Sequence, residues 1–176
     1  MKDIYAFSEN FAEEYFNIRA MISPEEKKIA REMFQDNSIQ NEIDFLVGDT
    51  AIIRISGPLS QSGPDFIDYY LGYGGTSYRD IQAACKKYKE NANVKNIYFE
   101  YDTPGGEVTG CFETAEAIYE LSAVKNTISI NMGMMASAGY WLASQSNSIY
   151  ASSPIVETGS IGVVWTIRDF ERNVKD

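Results

Sequence analysis

Short apolar runs alternate with helical patterns after residue 50, and this alternation constrains the fold more than any other feature of the chain. Runs typical of buried strands lie at 51–55, 96–101, 127–132, 148–151 and 160–164. Patterns typical of helices lie between them, at 76–91, 111–123 and 136–144. Strands that alternate with helices imply a parallel or mainly parallel sheet, so the sequence predicts an α/β domain.

The first 45 residues differ in character, because they are polar and helix-like. Ser23-Pro24-Glu25-Glu26 is a strong helix start, with serine as the N-cap, proline at the first helical position and a glutamate that closes a capping box. An apolar stripe at helical spacing follows within 29–34, and we expect it to dock on the main body or on a partner. The sequence therefore predicts a helical N-terminal extension over residues 1–45 and one domain over residues 46–176.

The chain contains no histidine, which restricts the chemistry open to it. Without histidine, a Ser-His-Asp triad, a Cys-His pair and a histidine-ligated metal site are all excluded. A nucleophile in this chain therefore needs a lysine, a carboxylate or an N-terminal amine as its base. The two cysteines, Cys85 and Cys111, fit no zinc spacing and are expected to be free, buried thiols.

Charge and hydropathy argue against two classes of partner. The formal net charge is −10 over 176 residues, whereas a nucleic-acid backbone or an anionic membrane surface favours clustered lysine and arginine. No apolar run approaches the ~18 residues of a membrane span, and the acidic N-terminus does not resemble a signal peptide. We expect a cytoplasmic protein that binds neither nucleic acid nor a membrane.

Three glycine-containing loops each follow a predicted strand, at 102–106, 133–139 and 158–162. Because the carboxyl ends of parallel strands face one crevice, these loops could converge on one site. In the first loop, Gly105 and Gly106 form either a plain tight turn or a pair of backbone N–H groups that face a substrate carbonyl.

Ser137 lies in the second loop, where a strand gives way to a helix among small residues. Either its hydroxyl is exposed to the crevice with the N–H of Ala138 beside it, or the small residues only let the helix approach the sheet. Ser160, in the third loop, is expected to be structural, because a serine without an adjacent base does not attack a peptide. We interpret Asp102 and Glu107 as solvated strand-end residues rather than as a catalytic pair.

Three segments together resemble the signal peptide peptidase A (protease IV) family of serine peptidases: TPGGEV at 103–108, MMASAGYWLAS at 134–144 and TGSIGVV at 158–164. Their order and the gaps between them match as well. SGPL at 56–59 and TSYRDI at 76–81 make the chain most similar to phage head maturation proteases. The resemblance covers about residues 50–166.

The fold and the activity that we expect follow from this resemblance. It implies the fold shared with Clp protease and crotonase, a spiral of β-β-α units, and a Ser–Lys dyad with Ser137 as the nucleophile. It implies an endopeptidase that cleaves phage scaffold or capsid proteins, in the host cytoplasm or in the procapsid. We expect a homo-oligomer that acts on protein or peptide substrates, without a metal or another cofactor.

The resemblance also assigns the groups around the serine. Gly105, Gly106 and Ala138 are the candidate oxyanion-hole donors. A substrate is expected to lie extended beside Glu107 and Val108, paired as an added strand.

The general base is the point at which the chain departs from the family. In relatives the catalytic lysine lies well beyond the GSIG block, whereas here Lys175 comes too early and Lys125 lies at the wrong end of its strand. The base is therefore not identified, and we expect the peptidase domain to be incomplete at its C-terminus. Two alternatives stay open: a non-catalytic assembly module of the same fold, and a crotonase-like acyl-CoA enzyme.

Overall fold

The computed structural model describes residues 5–7, 17–28, 43–64, 68, 71 and 74–163 of the chain. Within these ranges the strands are β1 Tyr5–Phe7, β2 Asp44–Val47, β3 Thr50–Ser56, β4 Leu59–Ser60, β5 Thr76–Ser77, β6 Asn96–Thr103, β7 Gly105–Glu107, β8 Asn126–Ala136, β9 Ser148–Ala151 and β10 Glu157–Gly159. The helices of the same ranges are α1 Tyr78–Glu90, α2 Cys111–Ser122 and α3 Ala138–Ala143, with further helical residues at 17–21 and 24–28. None of these described helices is long and apolar enough to cross a bilayer.

A mainly parallel sheet forms the centre of the domain, in the strand order β10-β8-β6-β3-β2. β3, β6 and β8 run parallel, and β2 pairs antiparallel with β3 at one edge. β9 and β10 pair in parallel with successive stretches of β8. Alternate side chains of the central strands are fully buried, among them Ile53, Ile55, Ile97, Phe99 and Tyr101. The predicted α/β domain is therefore confirmed.

A second, smaller sheet has the order β1-β7-β4-β5. Two of its strands, β4 and β7, follow almost directly after strands of the first sheet. β4 follows β3 after a two-residue link, and β7 follows β6 after a single residue. A helix follows each of these pairs, α2 after β7 and α1 after β4 and the additional short strand β5, so the chain repeats a β-β-α pattern. This is the Clp protease and crotonase-like architecture that the resemblance implies.

The pairing of β6 with β8 changes register near the carboxyl ends of the two strands. Tyr101 lies opposite Asn131, but Thr103 lies opposite Met135, so β8 advances four residues while β6 advances two. The extra length forms a bulge, and the carboxylate of Asp102 caps it by accepting a backbone N–H at 3.0 Å. Beyond the bulge β8 continues to Ala136 in regular pairing with β10.

The predicted helix starts are confirmed by their caps. Ser77 precedes α1, and its side chain accepts the N–H groups of Arg79 and Asp80. In the N-terminal segment, the N–H of Glu26 donates to Ser23 Oγ at 3.2 Å, and the N–H of Ser23 donates to the Glu26 carboxylate at 2.8 Å. These two bonds are the capping box that the sequence predicts.

Several elements differ from the sequence-based prediction, among them the short strands β2, β4, β5 and β7, which were not predicted. Two further differences concern elements of a predicted type. β1 is a strand inside the segment for which helix is predicted, because pairing with β7 satisfies its backbone groups. No strand forms over 160–163, the described part of the predicted strand 160–164, and β10 lies earlier in the chain. The reason is local, since Ser160 has a φ of 50°, which is incompatible with an extended strand. The apolar stripe predicted within 29–34 lies outside the described residues.

Candidate active site

Ser137 is the single residue between β8 and α3, in a sharp turn from strand to helix. Its φ is 52° and its ψ is −116°, a conformation that residues with a Cβ rarely adopt. Strain of this kind costs about 1–3 kcal/mol and persists only where the surrounding structure enforces it. In α/β-hydrolases, a strained strand-to-helix turn presents the nucleophilic serine at the end of the sheet.

Backbone groups of the third loop hold Ser137 in this turn. Its N–H donates to the carbonyl of Gly159 at 2.9 Å, and its Oγ donates to the carbonyl of Gly162 at 2.9 Å. Gly159 also lies opposite Ala136 in the pairing of β10 with β8. The second and third loops therefore meet at Ser137, which is only 5% exposed.

The first loop reaches the same place through Thr103, the last residue of β6. A Cβ built on Gly139, in the first turn of α3, would lie 2.4 Å from Thr103 Cγ2. Only a glycine permits this approach, so the small residue that follows Ala138 has a packing role. α3 also packs against β7, the strand that contains Gly105 and Gly106. All three loops converge at the carboxyl ends of β6 and β8.

Gly105 and Gly106 are both required by backbone geometry. Gly105 has a φ of 99°, and its N–H donates to Thr103 Oγ1 at 3.1 Å. A Cβ on Gly106 would lie 1.9 Å from the carbonyl oxygen of Leu59, because β4 runs alongside β7 at this point. The turn and the close packing account for both glycines, and their role in an oxyanion hole stays a prediction.

Ala138 is the first residue of α3 and is buried next to Ser137. The first N–H groups of a helix have no acceptor within the helix, so the N–H of Ala138 is not used by α3 itself. Of the three predicted oxyanion donors, Gly105 is the one whose N–H is engaged within its own loop. A backbone donor at position 138 does not depend on the side chain.

Glu107 and Val108, predicted to flank a substrate, connect the small sheet to the rest of the domain. The carboxylate of Glu107 accepts the N–H of Gln61 at 2.8 Å, and its carbonyl accepts the Tyr78 hydroxyl at 2.7 Å. Val108 is partly buried against the core. Glu107 and Asp102 each accept a backbone N–H. This agrees with their interpretation as structural residues.

A pocket of about 340 Å³ opens beside Ser137. Its further lining is mainly apolar and comes from α3 and the third loop: Ala138, Tyr140, Trp141, Ser144, Ile161 and Val163. Tyr140, Trp141, Ile161 and Val163 are pocket residues for which the sequence predicts no role. Large apolar side chains within one helical turn of the serine, or just after the GSIG segment, were the signal that could have found them.

No lysine, aspartate or glutamate lines this pocket within the part of the chain that the structure describes. Lys125 precedes β8 and so lies at the opposite end of that strand from Ser137. Its Nζ donates to the carbonyls of Asn91 at 2.8 Å and Val94 at 2.6 Å. Lys125 therefore links its own loop to the loop before β6. It lies far from Ser137, as its position in the sequence predicts. Lys175 lies outside the described residues.

The two cysteines are free and buried, as predicted. Burial raises the pKa of the Cys85 thiol to about 12 and the pKa of the Cys111 thiol to about 11. Both thiols are therefore protonated near neutral pH, and the protonated form is a poor nucleophile. Neither cysteine is therefore a good candidate for a nucleophile near neutral pH.

Comparisons with known proteins confirm the resemblance to these peptidases. Residues 120–176, which include Ser137 and the third loop, match the model of peptidase family S49. The chain is 32% identical over 114 residues to capsid assembly protease C of Escherichia phage lambda and 30% identical over 96 residues to protease 4 of Haemophilus influenzae. It is 30% identical over 91 residues to head-tail preconnector protein GP5 of Enterobacteria phage P21.

These alignments cover 65%, 54% and 52% of this chain, respectively. They cover 25%, 15% and 18% of the three relatives, so the chain spans a quarter of their length or less. Among solved structures, the chain is similar to an enoyl-CoA hydratase from Polaromonas sp. JS666, with a TM-score of 0.47 and 18% identity. That likeness covers 65% of this chain and 49% of the hydratase.

Proposed function

We propose that this chain carries the nucleophile of a serine peptidase, in which Ser137 attacks the scissile carbonyl of an extended protein substrate. The observation that carries the proposal is the strained strand-to-helix turn at Ser137, placed beside a pocket of about 340 Å³. A glycine would relieve this strain, so a serine in such a turn points to a use for its hydroxyl. The match of this region to a peptidase family supports the same role.

The proposed substrates are proteins of a phage head. Support comes from the relatives, one named a capsid assembly protease and another a head-tail preconnector protein. In this proposal the protein acts on scaffold or capsid subunits, in the host cytoplasm or within the procapsid, as a homo-oligomer.

In the proposed reaction, Ser137 Oγ releases the carbonyl of Gly162 and bonds to the carbonyl carbon of the substrate, while its proton passes to the base. The substrate carbonyl becomes an oxyanion, which the N–H groups of Ala138 and Gly106 stabilise. The leaving amine takes a proton from the base, and water then hydrolyses the ester on Ser137. The substrate lies extended along β7, beside Glu107.

The base in this proposal is a lysine outside the described residues, since Lys125 donates to two carbonyls far from the serine. A lysine can act as a base near neutral pH only where burial or a neighbouring charge lowers its pKa from ~10.4. Gly105 becomes a further oxyanion donor if its N–H turns from Thr103 Oγ1 toward the substrate.

A second candidate function is a non-catalytic assembly module of the same fold. Two hydrogen bonds favour it: Ser137 Oγ donates to a backbone carbonyl rather than to a base, and the Gly105 N–H is engaged by Thr103. In this case the strain at Ser137 serves only to connect β8 with α3.

A fluorophosphonate probe separates the two candidates, because it forms a bond only with an activated serine. The native chain is tested in a form that also carries the base, because an unactivated serine does not react. We expect this form to be labelled at Ser137, as identified by peptide mass spectrometry, and Ser137→Ala in the same form to remain unlabelled. Ser144→Ala is the matched control, since Ser144 lines the same pocket and is exposed. Absence of labelling in the native chain, or labelling that survives in Ser137→Ala, would refute the peptidase and favour the assembly module.

Cleavage of a co-expressed capsid or scaffold protein tests the proposed substrate. The expected result is a shortened product with the native chain and with Ser144→Ala, but not with Ser137→Ala. A product that forms equally with all three variants would contradict the assignment of Ser137.

A further inference from the structure

The outer edge of β7 is occupied by the N-terminal segment of the chain itself. β1 pairs antiparallel with β7, with Tyr5 opposite Glu107, Ala6 opposite Gly106 and Phe7 opposite Gly105. β1 is the terminal strand of the small sheet, and β7 lies between it and β4. Within the described part of the chain, both edges of β7 are therefore paired.

The inner edge of β7 cannot accept another strand. β4 approaches so closely that a Cβ on Gly106 would lie 1.9 Å from the Leu59 carbonyl oxygen. The N–H of Gln61 and the hydroxyl of Tyr78 both bind Glu107 and fix the end of the strand. An extended peptide can therefore pair with β7 only at the edge that β1 now covers.

This edge is also the one that a substrate of the proposed peptidase would use. β7 contains Gly105 and Gly106, and α3, which begins directly after Ser137, packs against it. We propose that residues 5–7 occupy the substrate strand position, so that the N-terminal segment competes with substrate within the same chain. That this position is a substrate site rests on the proposed function, whereas the pairing of an extended peptide with β7 does not.

Tethering allows so short a strand to compete. A segment linked to its own binding site acts at an effective concentration of the order of 1 mM. If the free segment binds with a Kd of about 0.1 mM, the tethered copy raises the apparent Kd of a competing peptide about ten-fold. Three residues form few backbone hydrogen bonds, so the segment exchanges readily rather than blocking the edge permanently.

Proline substitutions in the full-length chain test the inference. Proline has no N–H to donate to a sheet, and Tyr5→Pro with Ala6→Pro removes a donor whichever residues of β1 face β7. Lys2→Pro with Asp3→Pro is the matched control, since both positions precede β1. All three chains also carry Ser137→Ala, so that the probe is not consumed. The probe is a fluorescein-labelled peptide with the sequence of residues 1–10, and its binding is measured by fluorescence anisotropy.

We expect the Tyr5→Pro/Ala6→Pro chain to bind the probe about ten-fold more tightly than the unsubstituted and control chains. Hydrogen exchange gives a second readout, in which the amides of β7 that face β1 lose protection only in the Tyr5→Pro/Ala6→Pro chain. Equal binding by all three chains, no binding by any of them, or unchanged protection of β7 would overturn the inference.

The outcome is independent of catalysis. If the proline chain binds the probe more tightly but no fluorophosphonate labels Ser137, the peptidase is refuted. The inference that the chain occupies its own peptide-binding edge then still stands. Labelling of Ser137 together with equal probe binding would leave the peptidase and refute this inference.

Discussion

Glycine at position 137 is expected to give a more stable protein than alanine at the same position, the reverse of the usual order in regular structure. At a φ of 52° and a ψ of −116°, any residue with a Cβ is strained, and glycine is not. Alanine keeps the strain of the native serine, whereas glycine removes it. The comparison therefore measures the strain that the turn stores, without reference to activity.

The expected difference follows from three contributions to the free energy of unfolding. Both replacements remove the bond from Ser137 Oγ to the Gly162 carbonyl, worth about 1 kcal/mol, so this contribution cancels. Glycine relieves roughly 1–3 kcal/mol of strain but loses about 0.5–1 kcal/mol through the greater freedom of the unfolded chain. Ser137→Gly should therefore be about 1 kcal/mol more stable than Ser137→Ala, or about 2–4 °C higher in Tm.

Urea unfolding followed by circular dichroism measures both variants, with a control pair at an ordinary helical site. Glu116 is exposed within α2, where alanine is expected to be about 1 kcal/mol more stable than glycine. The order of the two residues should therefore invert between position 116 and position 137. If glycine is the less stable residue at both positions, the turn at Ser137 stores no usable strain and the argument for its function is refuted.

Gly139→Ala is expected to lower the free energy of unfolding by about 1–3 kcal/mol in urea, because its Cβ would clash with Thr103 Cγ2. Adding Thr103→Ser to the same chain removes that methyl group and should recover most of the loss. Gly106→Ala is expected to cost roughly 3 kcal/mol or more, or to prevent folding, as seen by circular dichroism, because its Cβ would overlap the carbonyl oxygen of Leu59. The free energy of unfolding is expected to fall as the pH rises from about 9 to 12. Burial raises the pKa of Cys85 from 9.0 to about 12, so in this range the unfolded state loses the thiol proton while the folded state keeps it.

Each of these predictions has its own control. Thr103→Ser alone keeps the hydroxyl that donates to the Gly57 carbonyl, and should cost little. Gly162→Ala places its Cβ in open space and should be tolerated, unlike Gly106→Ala. Cys85→Ala should flatten the loss of stability above pH 9. Strictly additive effects at positions 103 and 139 would contradict the clash between the two side chains. A Gly106→Ala chain of unchanged stability would contradict the close packing against Leu59. An unchanged loss of stability above pH 9 in Cys85→Ala would contradict the role of the Cys85 thiol.

Much of the architecture could be predicted because it depends on local patterns. β3 and β6 are short apolar runs, and α1 begins at a capping serine, so their types follow from nearby residues. The convergence of the three loops follows from the parallel sheet, since carboxyl ends of parallel strands share one edge. The role of Ser137 as a nucleophile came from the resemblance and is not tested by the fold.

Features that depend on distant partners could not be predicted. β1 is a strand only because Tyr5–Phe7 meets Gly105–Glu107, some hundred positions later in the chain. The acceptor of the Ser137 hydroxyl is a backbone carbonyl, that of Gly162, and no side-chain pattern marks such a group. The pocket wall formed by Trp141 likewise needs the third loop to fold back over α3.

The bulge in β8 makes the placement of Ser137 a matter of parity. Successive side chains of a strand point to opposite faces, so the two surplus residues leave Met135 and Ala136 facing as they would in an uninterrupted strand. A single surplus residue reverses the later side chains of a strand unless a bulge absorbs it. The bulge, held by the carboxylate of Asp102, therefore decides which face β8 presents as it enters the turn at Ser137.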